Sequence, residues 1–176
     1  YYVRVINTLS SLSTSNFGIC LRKYPSPAND DCVNATTVTP VVTCGFLNAT
    51  FSGAMMGGGT APSCASNTSQ DVWFKFTATD PTMRIELSPE SGLNHGFELI
   101  LGGCNAVGTS STEVYFNNNF IPGQVYYVRV FNTSSNLSTS DFGICIRKYP
   151  SPVNDLCANA TELTPANTCT NSGGTM

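Results

Sequence analysis

The sequence predicts an all-β fold, an antiparallel β-sandwich of jelly-roll or immunoglobulin-like style, repeated in tandem. Three observations carry that expectation. Apolar and polar residues alternate in six or more short runs, no stretch of 12 residues shows a capped helical stripe, and a 40-residue block occurs twice.

The elements follow in order. Ala54-Met-Met-Gly-Gly-Gly59 opens like a helix, but three successive glycines end it. Asp71 to Thr79 sets Val72, Phe74 and Phe76 on one face and Trp73, Lys75 and Thr77 on the other. Met83, Ile85 and Leu87 then alternate with Arg84 and Glu86. Further strands are expected at Phe97 to Leu101, Glu113 to Phe116, Val125 to Phe131 and Phe142 to Ile146. Turn-forming text separates them: Ser88 to Gly92, Asn117 to Asn119, and Pro122-Gly123, which reads as a tight turn feeding a long strand. In that strand Tyr126, Val128 and Val130 share a face, with Tyr127 and Arg129 opposite. So many half-apolar strands need two sheets to bury them.

The repeated block is Tyr1 to Pro40, which returns as Tyr126 to Pro165 at an offset of 125, with 30 of 40 positions identical. Such a period belongs to a domain array, because solenoid units are only about 20 to 50 residues long. The stretch Lys23 to Asp30, repeated as Lys148 to Asp155, carries two prolines at alternate positions and reads as a semi-rigid joint. The expected organisation is the C-terminal part of a preceding repeat at 1–24, one complete repeat at 25–149, and the start of the following repeat at 150–176.

Composition narrows the function. Thr, Ser and Asn supply 57 of 176 residues, whereas Asp, Glu, Lys and Arg make up 11%, and the formal net charge is -3. Nothing in that balance would condense on phosphate backbones, which argues against nucleic-acid partners. No apolar run reaches the roughly 20 residues that span a bilayer, so membrane insertion of this segment is not expected. Eight cysteines point to an oxidising, extracellular location. Their closest spacing is C-x11-C, with no C-x2-C pair, which disfavours zinc.

One period holds Cys32, Cys44, Cys64, Cys104 and Cys145, an odd number that leaves at least one thiol over per unit. Cys44 with Cys64 is the favoured pair, a staple on the loop that holds the three glycines, with Cys145–Cys157 and Cys20–Cys32 as clamps on the joints. A rival scheme pairs Cys32 with Cys145. Cys104 is the leftover in both.

The search for chemistry is mostly negative. His95 reads as part of a surface turn with no second His nearby. No G-x-S-x-G elbow or H-E-x-x-H occurs, and Gly57-Gly-Gly59 has no following Lys to make a phosphate loop. An enzyme is not expected, nor a cofactor. Asp30, Asp31 and Asp155 beside the joints are the candidates for a structural calcium, with a solvated turn, Asn29 and Asp30 capping backbone amides, as the plainer reading. Trp73, Tyr115, Tyr127 and Phe120 are candidate aromatics for stacking on sugar rings, though such residues also fill sandwich cores. N-x-S/T acceptors stand at Asn34, Asn48, Asn67, Asn132, Asn136 and Asn159.

The run NDDCVNATTVTP, then SQDVWFKFTAT, FELILGGCN, IPGQVYYVRVFN and DFGICI, resembles the repeated β-sandwich modules of large secreted surface proteins of the Bacteroidetes. Those are similar to pre-peptidase C-terminal domains and are exported through the type IX system. The resemblance covers residues 25 to 147 and implies a non-catalytic module of an adhesion or gliding protein. Its partners would be neighbouring repeats, other copies in a filament, or surface glycans. The alternative it implies is an accessory carbohydrate- or substrate-binding domain of a secreted hydrolase. This chain has Asn94-His95 where many members have an Asp, and Phe116-Asn-Asn-Asn119 where many have a Cys-Asn-Asp-Asp run. The resemblance makes that absent cysteine the usual mate of Cys104.

Overall fold

Each strand-like run carries one apolar face, and two such faces must meet to leave water. The computed structural model, which describes residues 2–8, 11, 14, 16–57, 69–88, 94–104, 109–111, 114–165, 167–168 and 173, shows how they do so. The strands are β1 (Thr36–Thr37), β2 (Leu47–Thr50), β3 (Asp71–Thr77), β4 (Met83–Ser88), β5 (His95–Leu101), β6 (Thr109–Ser111), β7 (Val114–Asn117), β8 (Val125–Asn132) and β9 (Asp141–Lys148). They form a five-stranded sheet in the order β1-β3-β8-β5-β6 and a four-stranded sheet in the order β2-β9-β4-β7. All pairings are antiparallel except β1 with β3. The chain is a β-sandwich.

The alternation read from the sequence sets the core. Val72, Phe74 and Phe76 of β3 and Val128 and Val130 of β8 face Met83, Ile85 and Leu87 of β4 and Ile144 and Ile146 of β9. Phe142 packs edge-on to Phe74 at 6.2 Å between ring centres, and Phe76 stacks on Tyr126 at 5.5 Å. Each such side chain contributes about 1.5–3 kcal/mol by leaving water. The expected turn before β8 is present. The Gln124 amide donates to the Ile121 carbonyl at 3.0 Å, and Gly123 takes φ +85°, which Pro122-Gly123 suits as a type II turn.

Three strands were not legible. β1 is two residues long, while β2 and β6 read Leu-Asn-Ala-Thr and Thr-Ser-Ser, with no apolar alternation. They are strands because edges of the two sheets accept their backbone hydrogen bonds.

One N-terminal segment runs along both sheets. Its first part, a short 3₁₀ turn at Cys32–Asn34 and β1, lies on the five-stranded sheet, with Ala35 packed on Trp73 and Ile100. It then crosses to the other sheet, where Val41 bridges Arg147 and Phe46 lies directly over Gly143. Each half is held by a disulfide, Cys32–Cys104 and Cys44–Cys145, separated by 72 and 101 residues in sequence. Loops that long restrict the unfolded chain strongly, which the chain-entropy account values at about 4–5 kcal/mol per bridge.

These bridges overturn the expected pairings. Cys44 bonds Cys145, not Cys64. Cys32 bonds neither Cys20 nor Cys145, and Cys145 does not bond Cys157. Cys104, expected to be left over, is bonded. The clamps across the joints do not form because Cys32 and Cys145 are each bonded within the sandwich, Cys32 to Cys104 and Cys145 to Cys44. Cys20 and Cys157 are exposed and unbonded, and Cys64, on which the odd count now falls, lies outside the described residues.

Candidate functional site

The β8 alternation places Asn132 inward, where the preceding inward residues are Tyr126, Val128 and Val130. A buried amide must be satisfied, at a cost of about 1–3 kcal/mol otherwise. Asn132 Nδ2 donates to Gln70 Oε1 at 3.1 Å and to the Asn136 carbonyl at 2.8 Å, while its Oδ1 accepts from the Ser134 amide at 2.9 Å. Gln70, also buried, donates through Nε2 to the carbonyls of Phe51 (2.7 Å) and Ser138 (3.0 Å) and accepts from the Ser138 amide at 2.6 Å. The loop from Thr133 to Ser140 closes further on itself. Ser134 Oγ accepts from the Asn136 amide, and Ser138 Oγ from the Ser140 amide. Serine and asparagine favour such local turns, and here they set the shape of the loop.

That loop, with Phe51 and Asn94, lines a cleft of about 320 Å³ at one end of the sandwich. Its lining is Asn, Ser, Thr, Leu137 and Phe51, with no charged side chain. Asn94 and Asn136 stand exposed at the rim, and Leu137 presents an exposed apolar side chain. Such a surface can exchange neutral hydrogen bonds with hydroxyl groups and pack one apolar patch against a ring.

The second polar feature is beneath the N-terminal segment. Asp71 of β3 and Arg129 of β8 form a salt bridge, with both side chains almost fully buried. Arg129 also lies over the Trp73 ring, 5.4 Å from its centre, and stands opposite Glu98 of β5. Asp71 further accepts from the Gly57 amide at 2.9 Å. Burial pushes the Asp71 carboxyl up from its ordinary value; the Gly57 amide and the Arg129 charge oppose that rise. Almost fully buried, this pair ties the Gly57 backbone to the sheet.

The sequence-derived candidates separate in space. Trp73 is buried on the outer face of the five-stranded sheet, and Tyr127 is half-buried beside it. Tyr115, on the other sheet, packs toward the core with Phe120 at 6.3 Å. The four aromatics therefore make no shared exposed platform, because the N-terminal segment covers one pair and the core takes the other. His95 is not in a surface turn: it opens β5, is buried, and stacks on Phe142 at 6.3 Å. Asp30 Oδ1 accepts from the Met55 amide at 2.8 Å, so it caps a backbone amide 25 residues away. Asp31 and Asp155 are exposed, and among the described residues no three His, Cys, Asp or Glu side chains converge to hold a metal. Of the sequons, Asn34, Asn48, Asn136 and Asn159 are exposed, Asn67 lies outside the described residues, and Asn132 is buried.

Sequence reasoning missed Gln70, Asn132 and the Asp71–Arg129 pair. The signal was present for one of them: a polar residue at the inward position of an apolar strand.

No curated protein matches the chain. A solved structure, PliG of Aeromonas hydrophila, a periplasmic lysozyme inhibitor of g-type lysozyme, aligns with 12% identity and a TM-score of 0.35, over 64% of this chain and 98% of that one. Residues 28–144 match the model of a galactose-binding-domain-like family associated with type IX secretion. More than half of the sequence lies within that match, and the chain belongs to this family.

Proposed function

We propose that the chain is a non-catalytic structural and adhesive module of a long extracellular surface protein, in which sandwich units follow one another and carry a stalk or filament. One observation carries the reading. Both disulfides among the described residues close between Cys32 and Cys145, inside the expected unit 25–149, so each bridge is internal to one sandwich. Cys20 and Cys157 are the repeat copies of Cys145 and Cys32, and each would find its mate in a neighbouring unit of its own. The family's link to type IX secretion and the two bridges support a secreted location. Non-reducing peptide mapping of the full secreted protein tests this. Every unit is expected to yield the same two internal bridges; a bridge spanning a Pro-rich joint would overturn it.

A second reading is carried by the polar cleft. Its neutral lining suits a carbohydrate hydroxyl edge, which fits the alternative of an accessory binding domain in a secreted hydrolase. Titration with galactose and a panel of glycans, read by chemical-shift changes in Asn94, Asn136 and Leu137, tests it. Absence of any shift at millimolar sugar ends that reading.

A further inference from the structure

The two Pro-rich joints meet the sandwich at opposite ends. Gln70 and Phe51 gather the start of β3 and the ends of β2 and β8 at one end, which also holds the cleft. The opposite end holds the start of β4 and the ends of β7 and β9, which pair through Met83 with Asn117 and Lys148. The entry joint touches the first end: Gly53 packs so closely on the Pro25 carbonyl that a Cβ there would clash with it, and would lie 2.9 Å from the Tyr24 carbonyl oxygen. The exit joint touches the second. The Tyr149 amide donates to the Thr82 carbonyl at 3.0 Å, and its ring packs edge-on against Phe116 at 5.5 Å.

Tyr149 and Pro150 are the repeat copies of Tyr24 and Pro25. One tyrosine-proline pair therefore has two docking places: Thr82 and Phe116 of the unit it leaves, and the Gly53 loop of the unit it enters. Between the two grips no residue remains as a free linker. The ends are apolar as well. Phe116 is 59% and Ile121 57% exposed at the exit end, and Met55 is 66% exposed beside the entry joint. Exposed aromatic and aliphatic groups at both ends of a repeating body are what an end-to-end contact would cover.

We infer that consecutive units dock directly, the exit end bearing Phe116, Ile121 and Tyr149 seating on the Gly53–Met55 end of the next unit, so that the joint is a rigid interface and not a hinge. The occupant is the following copy of this same unit. The inference rests on the modular reading above and adds the geometry between modules.

Electron microscopy of the full-length secreted protein tests it, with the natural sequence and with Phe116→Ser, or separately Ile121→Ser, placed in the repeats. The natural protein is expected to show straight rods with one preferred angle between successive units. Either variant should shift that angle to a broad distribution while each unit keeps its fold, read as an unchanged β-sheet circular-dichroism spectrum, since both side chains are more than half exposed. Natural units that already bend freely, or variants as straight as the natural rods, overturn the rigid joint and leave the modular reading standing. A compact particle without separate bodies overturns both.

Discussion

Tyr1 to Tyr24 and Tyr126 to Tyr149 share 19 of 24 residues, yet they have opposite fates. The second copy supplies β8 and β9, the central strands of the two sheets. The described residues of the first form no strand and expose their apolar side chains, Val3, Val5, Phe17 and Ile19 among them. The intrinsic propensities are the same, so what differs is the company. Val128 and Val130 lie between β3 and β5 and under the opposing sheet, whereas among the described residues Val3 and Val5 pair with no strand. The complementary pair tells the same story. Ala35 and Val38 are buried under one disulfide's hold, while their copies Ala160 and Leu163 are exposed. A β-strand is a property of its neighbours more than of its own residues.

The sharpest way to break the comparison is to make the ordered copy resemble the exposed one. Replacing Cys32 and Cys104 together by Ser releases the segment over Trp73. Stability is expected to fall by about 4 kcal/mol. Denaturant unfolding measures the loss, and hydrogen exchange should show the amides of residues 32–38 as unprotected as those of 157–163. Retained protection in the variant would mean that packing alone holds the segment.

Arg129 and its copy Arg4 give the next contrast. Removing Arg129 leaves Asp71 buried without its cation, a loss of about 3 kcal/mol on the scale measured for broken buried pairs. Arg4→Ala, at a position exposed in the 176-residue chain, should leave the unfolding midpoint of that chain where it was. Equal effects of the two substitutions would contradict the placement of β8. A smaller contrast follows for valine. In the 176-residue chain Val128→Ala opens a gap in the core and should cost about 2 kcal/mol, whereas Val3→Ala should cost nothing measurable.

The contrast also shows what was legible. Period-two alternation gave the inward faces of β3, β4 and β8 because each has three apolar residues at alternate positions, and Pro122-Gly123 gave its turn. Alternation marks which residues point outward but not whether anything covers them. Trp73, Tyr127 and Ile100 stand at outward positions and are covered by a segment rich in Asn, Thr and Pro that has no periodicity to announce it. Disulfide pairing failed for the same reason: it depends on where that segment crosses between sheets, which spacing does not encode. The cleft was hidden differently. Its wall is the loop Thr-Ser-Ser-Asn-Leu-Ser-Thr-Ser, which looks like linker text, and its rigidity comes from Gln70, some 68 residues away from Ser138 in the chain.

The smallest expected effect is in the pH dependence, and it sharpens the Arg129 contrast. Burial raises the Asp71 carboxyl above its ordinary value, the nearby Asp30 charge adds to the rise, and the Gly57 amide and Arg129 hold it down. Between the ordinary carboxylate value and the raised one, the folded chain keeps a proton that the unfolded chain has lost. Stability from this group is therefore complete below that window, falls as pH rises through it, and is level above. Asp71→Asn should abolish the slope. Arg129→Ala should extend it to higher pH, because the charge that opposes the rise has gone, while Arg4→Ala should leave it as it is. Urea midpoints followed from the carboxylate range to neutrality measure all three. A slope that persists in Asp71→Asn assigns the titration to another group and removes Asp71 from the account.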